Sequence, residues 1–230
     1  MTTFAPSDGA RHATILGLGS YRPSRVIPNA EIVEAIDSSD EWIQQRSGIR
    51  QRRWAADHET VQMMSVAESR KALAHAGIEA AQVDAIVVAT VSHMFQTPAV
   101  ATAIAYELGT ERPAAFDISA ACAGFCHGIA LASDMVRGGS AKYVLVIGVE
   151  RLSDLTDVLD RGTAFIFADG AGAAVVGLAE LGPSFLREPD MFGPDRFHPS
   201  AAGYRLAAEL VAGPALDVID CEAVAYRRTA

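Results

Sequence analysis

"AAFDISAACAGFCHGIALASDMVRGG" (114–139), followed by "YVLVIGV" (143–149), changes its period twice. An apolar β-type run over 114–119 gives way to a helical pattern that ends at Gly138-Gly139, and a second β-type run follows. Strand, helix, strand in that order reads as one unit of a layered α/β fold.

The same alternation continues outward. Further β-type runs lie at "ATILGLGS" (13–20), "DAIVVATV" (84–91) and "GAAVVGL" (172–178). They are nearly continuous in Val, Ile and Ala, as strands covered on both faces should be. Between them, "VQMMSVAESRKALAHAG" (61–77) puts Met63, Val66, Ala67, Leu73 and Ala74 on one stripe and stops at Gly77. "TPAVATAIAYELG" (97–109) places Thr97 and Pro98 as a cap and first-turn pair. "ADGAGAAVVG" (168–177) lacks the third glycine of a dinucleotide fingerprint and opens no helix, so it is read as tight backbone turning ahead of a strand. After residue 178 several prolines appear without a strong period, and a boundary is placed there: 1–178 and 179–230.

The 230 residues are 50% hydrophobic and 20% charged, the profile of a soluble globular protein. A net charge of −9 argues against nucleic acid or an anionic membrane as the main partner. A local basic patch remains in "RSGIRQRRW" (46–54), where Arg46, Arg50, Arg52 and Arg53 are either an anion site or a solvated face. No export signal is read in "MTTFAPSDGARH" (1–12), and no apolar run approaches the ~18 residues of a spanning helix, so the cytoplasm is the expected compartment. The three cysteines form no CxxC pair, and neither a disulfide framework nor a metal site is expected.

Cys122 follows the strand at the start of the helical pattern, where unpaired backbone N–H groups and the helix dipole favour a thiolate. Its small neighbours, Ala120, Ala121, Ala123 and Gly124, leave room for a substrate chain. From the residues alone it is either a nucleophile or a small buried structural cysteine. Cys126 and His127 point about 100° apart on a helix, so they do not face each other, and both are read as helix packing.

"ATILGLGSYRPSRVIPNAEI" (13–32), "SSDEWIQQRSGIRQRRW" (38–54), "DISAACAGF" (117–125) and "DRGTAFIFADGAGAAVVG" (160–177), in that order, resemble β-ketoacyl-acyl-carrier-protein synthase III, an initiating ketosynthase of the thiolase fold. The resemblance covers roughly 12–178. It implies a thiolase-like N-terminal half, a five-stranded mixed sheet covered by helices; the tail after it is read from its own residues as a short helix capped by Ser200, with a stripe through Tyr204, Ala207, Ala208 and Val211. It implies a reaction in which acyl-CoA acylates Cys122 and malonyl-acyl-carrier protein is then decarboxylated and condensed. Acyl-CoA is a substrate, and no cofactor is implied. Trp42, an amphipathic-helix anchor when read alone, matches the tryptophan that stacks on the CoA adenine. Arg161 matches its partner across the base, Arg46 falls near the nucleotide phosphates, and Gly162 lines the channel. Thr97 corresponds to a segment that reaches into the neighbouring subunit's acyl pocket in the family dimer; a small residue there implies a longer or branched primer.

The family's second half supplies a histidine in a Pro-His-Gln-Ala-Asn setting and an asparagine in a Gly-Asn-Thr-Ser setting, and neither motif occurs in the sequence. The one asparagine is Asn29, in the first block; outside the first half the one histidine is His198. Condensation by this chain alone is therefore not expected, since losing one donor to a developing oxyanion commonly costs ~10²- to 10³-fold. A lone half should also expose an apolar face and associate, with itself or with ketosynthase subunits. The tail "FGPDRFHPSAAGYRLAAELV" (192–211) resembles the last block of SGNH-type esterases through Asp195 and His198. The serine of that family's Gly-Asp-Ser turn has no match, because "GLGS" (17–20) lacks the aspartate. The expectation is a partial ketosynthase III; the alternatives are a non-catalytic associating fragment and an esterase.

Overall fold

The structure is a computed structural model, and residues 12–178 are described here. In chain order the elements are strands β1 (Ala13–Tyr21) and β2 (Arg25–Pro28), helices α1 (Asn29–Ile32) and α2 (Asp40–Ser47), strand β3 (Gln51–Trp54), helix α3 (Val61–Ala76), strand β4 (Ala85–Ala89), helix α4 (Val100–Leu108), strand β5 (Ala114–Ile118), helix α5 (Gly124–Arg137), and strands β6 (Tyr143–Arg151) and β7 (Asp169–Leu178).

Five strands form one mixed sheet in the order β1-β7-β6-β4-β5. β4 runs parallel to both β5 and β6, while β7 is antiparallel to β6 and β1. Side chains alternate between faces along a strand, so the continuous apolar runs serve two cores at once. Ile86, Val88, Leu145 and Ile147 pack with α3 and α4, whereas Ala85, Val87, Val144 and Val146 pack with Ala132 and Val136 of α5.

Helix α3 lies so close to β1 that a Cβ on Gly19 would come 2.1 Å from the Glu68 carbonyl oxygen. That approach corrects the expected stripe. Val66 and Leu73 of that stripe are buried as expected, but the buried face also takes in Met64, Ser65, Glu68, Ser69 and Ala72, while Met63 and Ala67 are only half-buried and Ala74 is exposed. Gly17 and Gly19 lie opposite this face and allow the close approach; of its polar residues, Ser65 donates to the Val61 carbonyl at 2.7 Å.

Two further expectations are corrected. Thr97 and Pro98 precede α4 and do not cap it; the backbone N–H groups of Val100 and Ala101 donate instead to the Asp117 carboxylate of β5, at 2.8 and 3.0 Å. "ADGAGAAVVG" is no turn: from Asp169 onward it is β7 itself.

β2 and β3 pair antiparallel with α1 and α2 in the connection between them, and this interrupted hairpin has no counterpart in the sequence reading. Together with α1 and α2 it encloses a third core of Ile27, Ile32, Ile36 and Ile43, closed by Ala164 and Phe165 from the segment between β6 and β7. The expected arginine patch divides here. Arg52 is buried against the Ile27 carbonyl and Asn29, Arg53 donates to the Pro23 and Ser24 carbonyls, and Arg46 and Arg50 are exposed.

On α5 the sheet-facing line is Gly124, Gly128, Ala132 and Val136. Phe125, Cys126, His127 and Leu131 are exposed, so Cys126 and His127 are not core packing. The cause is geometric: one helix of about 10 Å diameter covers less than half of a five-stranded sheet whose strands lie about 4.8 Å apart, and the described residues place no second helix beside it.

Candidate active site

β5 ends at Ile118, and the chain enters α5 through one tight turn, Ala121–Ala123. Ala121 adopts φ 46°, a left-handed conformation that costs a non-glycine residue of order 1–3 kcal/mol and is found where a side chain must be presented. The side chain so presented is Cys122. It is exposed, which removes the buried structural reading.

Cys122 lines an open cavity of ≈ 420 Å³ with Ala89, Phe125, Gly148, Glu150 and Asp169. Phe125 lies on the first turn of α5, and the others at the carboxyl ends of the parallel strands β4 and β6 and the start of β7; the carboxyl ends of parallel strands are where ligands bind in open α/β sheets. A Cβ on Gly148 would sit 3.0 Å from Phe125, so the bare strand gives that ring its place beside the thiol.

Two carboxylates in the cavity wall are committed to the backbone. Glu150 accepts from the Val91 N–H at 3.0 Å and from the Ser92 hydroxyl at 2.6 Å, fastening the loop that leads to Thr97. Asp169 accepts from the Ala55 N–H at 2.7 Å and from the N–H and hydroxyl of Ser153 at 2.8 and 2.6 Å. It thereby ties the hairpin and the segment after β6 to the cavity. The sequence reading missed both residues; the signal was an acid at the end of one buried apolar strand and another at the start of the next.

A second cluster forms on α2. The ring of Trp42 is half-buried, meets Phe165 edge-on with centroids 5.5 Å apart, and has the guanidinium carbons of Arg46 and Arg161 at 5.3 and 5.4 Å from its centroid. Trp42 is thus an anchor against Phe165 as well as a platform for cations. Arg161 also faces Asp37 at 3.8 Å. Gly162 sits in an exposed turn, its N–H donating to Asp160 at 3.0 Å. The Thr163 hydroxyl and that same N–H hold the Asp160 carboxyl below its ordinary range.

The structure therefore brings Trp42, Arg46 and Arg161 together, with Gly162 adjoining in sequence, and sets Cys122 in a separate cavity. Gly162 is not among the residues lining the Cys122 cavity, nor is Thr97, which is exposed in the loop before α4. Asp195 and His198 lie outside the described residues, as does the rest of the 179–230 tail.

Residues 116–187, which run from within β5 through the turn and α5, match the family described as 3-oxoacyl-[acyl-carrier-protein (ACP)] synthase III. The β-ketoacyl-[acyl-carrier-protein] synthase III 1 of Streptomyces coelicolor is 63% identical over 187 residues, 80% of this chain and 54% of the relative. The structure of the priming β-ketosynthase from the R1128 polyketide biosynthetic pathway superposes with a TM-score of 0.75 at 39% identity, covering 94% of this chain and 71% of that one. The chain belongs to the ketosynthase III family.

The synthase III structure from Pseudomonas aeruginosa agrees, with a TM-score of 0.70 at 40% identity over 74% of this chain and 53% of that one. The chain spans about half the length of the curated ketosynthase III relatives it matches. Its thiolase-like mixed sheet is the fold expected from the sequence.

Proposed function

We propose that this chain carries the acyl-loading step of a ketosynthase III that initiates fatty-acid or polyketide chains. Acyl-CoA docks with its adenine against Trp42 and Arg161 and its phosphates toward Arg46, and its thioester reaches Cys122. The Cys122 thiolate attacks the thioester carbonyl. A bond forms between the Cys122 sulfur and the acyl carbon, the bond between that carbon and the CoA sulfur breaks, and the proton given up by Cys122 ends on the departing CoA thiolate. The observation that carries this reading is the exposed Cys122, presented by a left-handed Ala121 at a helix start over an open cavity.

Malonyl-acyl-carrier protein is the partner of the following step. That condensation calls on the histidine and asparagine motifs that the family's pattern places in its second half, and loading is the step for which this chain's own residues are suited. The setting fits the cytoplasm, and no helix among the described residues is long and apolar enough to cross a membrane. A homodimer would bring the loop bearing Thr97 to a neighbour's acyl pocket; Met94 and Phe95 on that loop are 71% and 70% exposed, as a contact surface requires.

A second reading, a non-catalytic fragment that only associates with ketosynthase subunits, is favoured by the exposed outer face of α5. Single-turnover release of CoA separates the two. Loading predicts stoichiometric free CoA that disappears in Cys122→Ala; association alone predicts none from either protein.

A further inference from the structure

We propose that Asn29 is a positioning residue for the nucleotide cluster: its buried carboxamide clamps both ends of helix α2 and so sets where Trp42 and Arg46 stand. This rests on the acyl-CoA reading above and adds to it a residue that touches no ligand.

Asn29 is 1% exposed. Its Nδ2 donates to Asp40 Oδ1 at 2.6 Å and to the Ile49 carbonyl at 2.7 Å, and its Oδ1 accepts from Arg52 Nη2. Asp40 is the first residue of α2, and Ile49 lies just beyond Gly48, which closes the helix. Both hydrogens of the amide are used, and each faces an acceptor. An aspartate here would turn two donors into acceptors against a carboxylate and a carbonyl, so the pattern demands an amide. Arg52, itself buried, fixes the amide's orientation and is held in turn by the Ile27 carbonyl at 3.2 Å.

The clamp matters because α2 is only eight residues long, too short to hold its own place in water. Ile43 anchors one side of it in the hairpin core, and the Ser39 hydroxyl accepts from the Trp42 N–H at 3.2 Å. Trp42 and Arg46 stand on this one helix, while their partners Arg161 and Phe165 come from the segment after β6. The two groups meet only if α2 is held against the hairpin. Asn29 is not among the residues lining the Cys122 cavity, and neither are Asp40, Ile49 and Arg52, so the clamp's direct contacts fall at the nucleotide end. The hydrogen bond from Asn29 is also the main reason the Asp40 carboxyl is held below its ordinary range.

The test compares two acyl donors, acyl-CoA and the acyl thioester of N-acetylcysteamine, which has no nucleotide. Asn29→Ala should raise the acyl-CoA concentration for half-maximal loading of Cys122 by roughly tenfold or more and leave loading from the nucleotide-free donor within about twofold. Asp40→Ala, which removes one exposed partner and keeps the core amide, should show the same split with a smaller factor, and it decides the matter if Asn29→Ala does not fold. Equal losses with both donors, or no loss with either, overturn the inference. A parent chain that shows no preference for acyl-CoA over the short donor overturns the nucleotide reading and the inference with it. A parent chain with that preference, matched by both variants, overturns the inference alone.

Discussion

Asp169→Asn is the substitution that probes the wall of the Cys122 cavity most sharply. Asp169 Oδ2 receives the Ala55 N–H and the Ser153 hydroxyl, and Oδ1 receives the Ser153 N–H. Asparagine keeps the shape and offers one acceptor where there were two. If its oxygen takes the Oδ1 place, the Ser153 hydroxyl can rotate to accept from the new amide, but the Ala55 N–H has nothing left to bind. If the amide is flipped, the Ser153 N–H is orphaned instead. Either way one backbone donor is lost, at about 1–3 kcal/mol, with the charge assistance of the carboxylate lost as well. Against a total stability of about 5–15 kcal/mol this is a readily measured shift. Urea unfolding at neutral pH should show the midpoint falling with little change in slope, and amide exchange should quicken at Ala55 or at Ser153. A loss below about 0.5 kcal/mol, with both amides as protected as in the parent, would refute the assignment of Asp169 as the clip.

Gly19→Ala should cost about 1–3 kcal/mol or more, because the new Cβ meets helix backbone at 2.1 and 2.7 Å and α3 itself must move. Gly128→Ala, whose contact is a side-chain methyl of Val146 at 2.8 Å, should cost less in the same thermal melts, and equal losses would contradict the packing account. Glu68 is buried with no hydrogen-bonding partner among the described residues, and burial, opposed in part by Lys71, raises its carboxyl well above the ordinary 4.5. The unfolded chain therefore gives up this proton first as pH rises, and stability falls from near the ordinary carboxylate value up to the raised one. Glu68→Gln should gain on the parent across that window; parallel midpoints in urea at pH 5 and pH 8 would count against it.

The alternating runs were legible because the central strands β4 and β6 are buried on both faces and helices α2 to α5 each end at a glycine. The turn carrying Cys122 was legible for the same reason: a strand must end before a helix can begin. The hairpin was not, since its strands are four residues long and one reads Gln-Arg-Arg-Trp, with an arginine buried by carbonyls that sequence cannot display. On α3 hydropathy found Val66 and Leu73 but missed the buried Ser65, Glu68 and Ser69, which lie where the helix closes on the glycine backbone of β1 and which polarity places outside. The cap of α4 was missed because it comes from Asp117 on another element. Cys126 and His127 were misread because amphipathic spacing cannot say how much of a helix its neighbours cover.

The central claim is that Cys122 is an acyl acceptor. The direct measurement is the mass of the peptide containing Cys122 after the folded chain has been incubated with acyl-CoA. The account predicts an added acyl group on that peptide alone, removed by hydroxylamine and absent in Cys122→Ser. An unmodified Cys122 peptide at saturating acyl-CoA, from a chain shown to be folded, would contradict it.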